Sequence, residues 1–187
     1  PVPAWVVNFA QPILSSITDG YPGVKDDFGA GSFGWLKDYC KGSMKYVDEE
    51  LVLTNCRVHR SKINWPDFVL ELDVRVQSGS WALHFRDLGN GGHEFRLSAD
   101  GGVLIGFERR GTGTVYSDLG RPALSANQVN HVLLIAKGNS FAFFLNGQPL
   151  FFMENDVYRS GKCAFYVDGN AAMDNFKIWH ISDIPAP

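Results

Sequence analysis

The sequence predicts an all-β protein: a two-sheet antiparallel jelly-roll β-sandwich with a short N-terminal arm, helical or extended. Three observations lead there. Apolar and polar residues alternate with a period of two through one segment after another, as in strands with one dry and one wet face. The segments are short and end in turn residues, among them Gly89-Asn90-Gly91-Gly92, Asp100-Gly101-Gly102 and Asn146-Gly147. The 187 residues include 14 Phe, 6 Tyr, 5 Trp and 20 Gly, which supplies aromatic filling between layers and many turns.

The chain divides into an apolar arm, 1–24, and a sandwich domain, 25–187. In the arm Trp5, Phe9, Ile13 and Ile17 recur every fourth residue, one face of a helix. Pro12 is expected to break that helix or to open a shorter one from Pro12 to Ile17. Full burial of each large apolar side chain is worth about 1.5 to 3 kcal/mol, so the arm must dock. Its own sandwich is the default. A neighbouring copy is the alternative, because the outward set Glu71, Asp73 and Arg75 leaves few apolar landing sites. Such a contact repeated head to tail would build a filament.

DDFGAGSFGW, with Phe28, Phe33 and Trp35, is a turn-rich entry to the domain. A hairpin centred near Asp48 and Glu49 follows, and it brings Cys40 and Cys56 nearly opposite, in reach of a disulfide. Cys163 alternates with Phe165 and Val167 and reads as a small core residue. Phe68 to Val76, FVLELDVRV, is the clearest strand. A three-strand meander, Trp81 to Arg110, comes next, with Leu83, Phe85, Phe95, Leu97, Ile105 and Phe107 on its dry face. Residues 111–130 form a polar connection with one short strand near Thr114 to Tyr116. NHVLLIAK, apolar on both faces, reads as central, and SFAFFLNG turns at Asn146-Gly147 into Pro149 to Met153. Two further strands, Lys162 to Val167 and Asn175 to Ile181, complete the sheets before the tail DIPAP. The core set adds Leu70, Leu72, Val74, Phe143, Leu145, Phe165 and Phe176.

Net charge is −3 and the isoelectric point near 5.9, so no basic field recommends nucleic acid as a partner. No apolar run reaches the roughly 18 residues that span a bilayer. The chain begins at Pro1, which points to a processed or excised segment. GxSxG, HExxH and P-loop motifs are absent.

The order DDF…GW, YVDEELVL, DFVLELDVRV, WALHFRD, HEFRLSADGGVLIGFER, NHVLLIAKGNSFAFFLNG and SGKCAFYVDGNAAMDNFKIW resembles the concanavalin-like lectin/glucanase jelly rolls. It is more similar to their laminin-G-like and fructan-binding-module branch in bacterial envelope proteins. The resemblance covers residues 26–181. It implies two curved antiparallel sheets, glycan binding on a concave face or rim, and in some members a structural calcium. It implies an extracellular or cell-surface module, glycan-binding or adhesive, and the missing paired-carboxylate signature argues against catalytic activity. Its partners would be a glycan or copies of itself, as a homo-polymer or surface filament in the second case.

Three sets of residues carry the chemistry. His84, Arg86, Glu94, Arg96 and Glu108 lie on the polar parity of the meander, where guanidinium and carboxylate groups would grip sugar hydroxyls. The same residues would equally form a cross-strand salt lattice. Asp26, Asp27, Asp174 and Asn175 stand near the two ends of the domain. Asp27 and Asp174 are the candidate calcium ligands, although Asp174-Asn175 also suits a turn and no loop has EF-hand spacing. Glu71 and Asp73, at i and i+2, are the pair a retaining glucanase would need about 5 Å apart. They lack the surrounding glucanase signature, and solvent-face charge explains them better.

Overall fold

The computed structural model describes residues 1–29, 34–60, 62–109, 112–122 and 127–183. Phe33 of the entry segment and the end of the tail, 184–187, lie outside them. Among the described residues there are eleven strands: β1 (Val24–Asp26), β2 (Trp35–Val47), β3 (Glu50–Arg60), β4 (Phe68–Asp87), β5 (Gly91–Ser98), β6 (Val103–Arg109), β7 (Thr112–Asp118), β8 (Asn130–Lys137), β9 (Ser140–Leu145), β10 (Gln148–Glu154) and β11 (Lys162–His180). All pairings are antiparallel.

The strands form one hydrogen-bonded sheet folded onto itself, and β4 and β11 run through both halves. The first half of β4 pairs β8, and β9 and β10 follow outward; its second half pairs β5, and β6 and β7 follow. β11 pairs β4 along its length, β3 over Ala164 to Met173 and β1 over Phe176 to Ile178. The separate strands expected at 68–76 and 81–86 are therefore one, as are those expected at 162–167 and 175–181. Glycine there marks a bend and not a break, because the bends of neighbouring strands coincide and the ladder continues through them.

Gly79 pairs with Gly169, at φ +67° and +103°. A Cβ on Gly79 would stand 1.9 Å from the Asp168 carbonyl oxygen, and one on Gly169 would stand 2.3 Å from that of Ser78. The line continues into β3, where Asn55 has φ +46° and its Oδ1 accepts the Gly169 N–H at 2.8 Å. In β2 the register shifts between Cys40 and Ser43, around Gly42. Four strands thus turn together, and the halves face each other across the core.

That core matches the expected set, except that Phe107 is half-buried. Rings from the two halves meet directly: Phe143 lies 5.6 Å from Phe95 and 6.0 Å from Phe85, and Trp35 lies 5.2 Å from Phe176. The β2–β3 hairpin turns at Asp48 and Glu49, both at positive φ, and places Cys40 opposite Cys56, which are disulfide-bonded. Cys163 is a free, buried thiol, its pKa pushed up to about 12 by burial.

The arm has the shorter helix expected with Pro12 in its first turn, but no break precedes it. A π-helical turn, Val6–Ala10, leads without interruption into α1 (Gln11–Ile17), and the Gln11 N–H donates to the Val6 carbonyl. The wider turn accommodates a proline early in α1, whose missing N–H would otherwise leave a gap. The arm lies on its own sandwich. Val6, Ala10 and Ile13 are buried with Val69, Ile135, Ala142, Phe144 and Ile181, and Phe9 and Ile17 pack at the margin. Trp5 sits edge-on to Phe144 at 5.3 Å and stacks on Phe152 at 5.7 Å. The apolar landing site thought to be missing exists beyond Glu71 and Asp73. It is made by the outward residues of β8, β9 and β10, strands apolar on both faces.

Candidate functional site

Beyond the bend, β3, β11, β4, β5 and β6 turn one face outward. Their outward residues include Arg57 and His59, Tyr166, His84, Glu94 and Arg96, and Glu108. The strand register puts Ala164 beside His84, His84 beside Glu94, and Glu94 beside Gly106. Ala82, Ala164 and Gly106 are the short outward positions among long ones, so the face dips. The result is a cleft of about 580 Å³ lined by Arg57, His84, Asp87, Gly89, Asn90, Gly91, Glu94, Arg96, Glu108 and Tyr166. Its size is in the range of small-ligand sites.

Four of the five predicted ligand residues, His84, Glu94, Arg96 and Glu108, line this cleft. Arg86 does not. Between the pairs His84↔Ala164 and Asp87↔Lys162, β4 carries two residues where β11 carries one. This bulge, with Arg86 at φ +47°, reverses the alternation. Arg86 turns into the interior, fully buried, and Asp87 takes its place on the outward face. The Arg86 guanidinium donates to the Pro66 carbonyl from Nε at 2.9 Å and to the Tyr158 carbonyl at 3.0 Å, and it lies 4.8 Å above the Phe141 ring. Burial lowers its pKa to about 10.

The cleft's charges are paired in two chains. Arg57 bonds both Asp38 and Asp87, and His59 Nδ1 stands 2.5 Å from Asp38. Glu94 stands 3.0 Å from His84 Nε2 and 2.8 Å from Arg96 Nε, so the expected salt lattice is present within the cleft. Burial works to raise the Glu94 pKa, yet the His84 hydrogen bond and the Arg96 charge carry it below the ordinary value. The terminal nitrogens of Arg96, the Glu108 carboxylate, the Tyr166 hydroxyl and the Asn90 amide remain as hydrogen-bonding groups along the wall.

Arg57, Asp87, Asn90 and Tyr166 were not anticipated. The alternation in CRVHR marks Arg57 as outward, but nothing local says that β3 lies two strands from β4. The Gly-Asn-Gly-Gly turn was legible as a turn, not as a rim.

The candidate calcium ligands accept hydrogen bonds from their own chain neighbours. β1 does meet β11, with Asp26 opposite Phe176, so the two ends of the domain adjoin as expected. Asp26, however, is buried and accepts from Trp35 Nε1 at 2.9 Å and Arg60 at 2.6 Å. Asp27 caps the Gly29 N–H, and Asp174 accepts from Asn175. Among the described residues no group of three or more His, Cys, Asp or Glu is placed to hold a metal. Glu71 and Asp73 lie on the outward face of the other half, away from the cleft. His131, 3.7 Å away, holds the Glu71 pKa at about 2, helped by Lys177 at 2.9 Å. Asp73 bonds His131 at 2.9 Å and Asn175 at 2.9 Å.

Among solved structures, the chain is similar to a carbohydrate-binding module, CBM66, from Bacillus subtilis. The TM-score is 0.69 at 20% identity, covering 80% of this chain and 97% of that one. It is also similar to a β-glucanase from Bacillus licheniformis (TM-score 0.64, 14% identity, 86% and 98% covered). A third is a protein of unknown function with a galectin-like fold from Bacillus subtilis (0.62, 15%, 86% and 96%). No protein-family model matches the sequence, and no curated protein does. The likenesses establish the fold, a jelly roll like theirs.

Proposed function

We propose that the chain is a secreted or cell-surface glycan-binding or adhesion module without catalytic activity, and that the outward cleft is its site. The observation that carries this reading is the cleft itself. Carboxylates, guanidinium groups, an amide and a tyrosine line it, the mixture of donors, acceptors and ring that hydroxyl-rich ligands need. The fold's likeness to a chain described as a carbohydrate-binding module supports the same reading. The Cys40–Cys56 disulfide fits an oxidising compartment, and among the described residues no helix is long and apolar enough to cross a membrane.

The carboxylates support the absence of catalysis. Glycoside hydrolysis needs a carboxylic acid with a raised pKa. Glu94 and Glu71 are both shifted down, so each is charged near neutral pH. With its arm seated on its own sheet, the chain offers no unpaired apolar helix to a neighbour, and we do not extend the proposal to a polymer of copies.

Calorimetric titration against a broad panel of oligosaccharides tests the reading. Arg96→Ala and Glu108→Ala should each weaken a saturable ligand at least tenfold and leave folding unchanged. Arg86→Ala should act first on stability. A folded protein that binds nothing on the panel, or that releases reducing ends from it, overturns the proposal.

A further inference from the structure

We propose that the cleft selects neutral, hydroxyl-rich saccharides and turns away those bearing carboxylate or sulfate groups. This rests on the reading of the cleft as a glycan site and names the ligand class within it. Proteins hold anionic sugars with cations whose charge is not already matched. Here both cations of the wall are matched from inside. Arg57 is held between Asp38 and Asp87, and Arg96 pairs with Glu94 at 2.8 Å. Among the described residues of the wall two guanidinium groups face three carboxylates, Asp87, Glu94 and Glu108, a formal charge of +2 − 3 = −1. Glu108 is exposed, and its carboxylate has no ion-pair partner among the described residues.

An ionised carboxylate only accepts hydrogen bonds. Glu108 can take them from sugar hydroxyls, while the terminal nitrogens of Arg96 donate to hydroxyl or ring oxygens. The carboxylate of a uronate or a sulfate group gives Glu108 nothing to accept and sets like charges together. Two exposed cations stand near the cleft without entering its wall. Lys41 Nζ lies 5.6 Å from the Tyr39 ring centroid, and Lys162 is the strand neighbour of Asp87. Ammonium groups in open solvent are screened over about 8 Å at physiological salt and do not reverse the sign of the wall.

The test uses the full chain at pH 7 and low salt on a glycan array. Fructans, galactans, mannans, xylans and glucans form its neutral arm. Oligogalacturonates, hyaluronan and sulfated galactans form the acidic one. The strongest neutral binder is then titrated beside the same saccharide with its primary alcohols oxidised to carboxylates. Oxidation should weaken binding at least tenfold, and Glu108→Gln, which keeps an acceptor and removes the charge, should shrink that ratio to below threefold. Acidic glycans bound as tightly as neutral ones, or a ratio unmoved by Glu108→Gln, overturn the selectivity and leave the glycan reading standing. Silence on both arms overturns both.

Discussion

His93 stands on the core side of β5, stacked on Phe85 at 5.2 Å and 4.7 Å from the Phe141 ring centroid. Burial, with the Arg86 charge nearby, pushes its pKa down to about 4. The unfolded chain takes up this proton near pH 6.5 and the folded one does not, so between pH 6.5 and 4 the unfolded state binds more protons. Stability therefore grows with pH across that window and is lost as pH falls through it, by about 3 kcal/mol in all. Glu71, held at about 2, adds a separate loss below its ordinary value of 4.5. His131, raised by the neighbouring carboxylates of Glu71 and Asp73, works the other way above 6.5. Denaturant unfolding at pH 7 and pH 4.5 should show most of the His93 loss, and His93→Gln should remove it. Equal losses in both proteins would contradict this account. Arg86 teaches the same lesson about position. One extra residue in β4 decides which of Arg86 and Asp87 meets solvent, and no pattern in FRD announces the bulge.

At the scale of elements, the bend shared by β2, β3, β11 and β4 is the feature on which both sheets depend. Gly79→Ala would drive a methyl into the Asp168 carbonyl and hold a side chain at φ +67°, at a cost of about 3 kcal/mol or more. Gly138 is the comparison: φ is +59° there, but nothing lies within 4 Å of a Cβ, so Gly138→Ala should cost only about 1 kcal/mol. Urea midpoints of the two variants measure the difference, and similar midpoints would mean that the bend yields. The disulfide belongs to this scale too. Cys40 and Cys56 are separated by 16 positions, and a loop of that size stabilises by about 3 kcal/mol. The double variant Cys40→Ala, Cys56→Ala should lose about that much while Cys163 stays inaccessible to thiol reagents. Rapid labelling of Cys163 in the variant would show that the hairpin had taken the neighbouring sheet with it.

Across the whole molecule there are two apolar clusters, one between the halves of the sheet and one beneath the arm. Ile13 is fully buried in the second, and Ile13→Ala should cost about 2 to 4 kcal/mol. Deleting residues 1–20 uncovers Ile135, Ala142, Phe144 and Phe152 together, a contiguous apolar face that water penalises. The truncated chain should aggregate or bind a hydrophobic dye while the full chain stays monomeric in sedimentation. A soluble, dye-silent truncation would show that the arm adds little.

What the sequence determined by itself was local. Period-two alternation specified the dry side of nearly every strand, since side chains on a pleated chain must alternate. Turn residues with access to positive φ located the hairpins at Asp48-Glu49 and Asn146-Gly147. The first of these brought Cys40 and Cys56 nearly opposite, and the register shift between Cys40 and Ser43 completed their pairing. The polar parity of the meander named four residues of the cleft by the same alternation. Only the tertiary structure decided what depends on several strands at once. It showed that glycines in separate segments bend one continuous sheet, and that strands apolar on both faces make a seat for the arm. It also brought Arg57 and Tyr166 from β3 and β11 to the cleft beside β4 and β5. These are consequences of long-range pairing, and such pairing is set by the packing of the two halves across their core, which no stretch of neighbouring residues records.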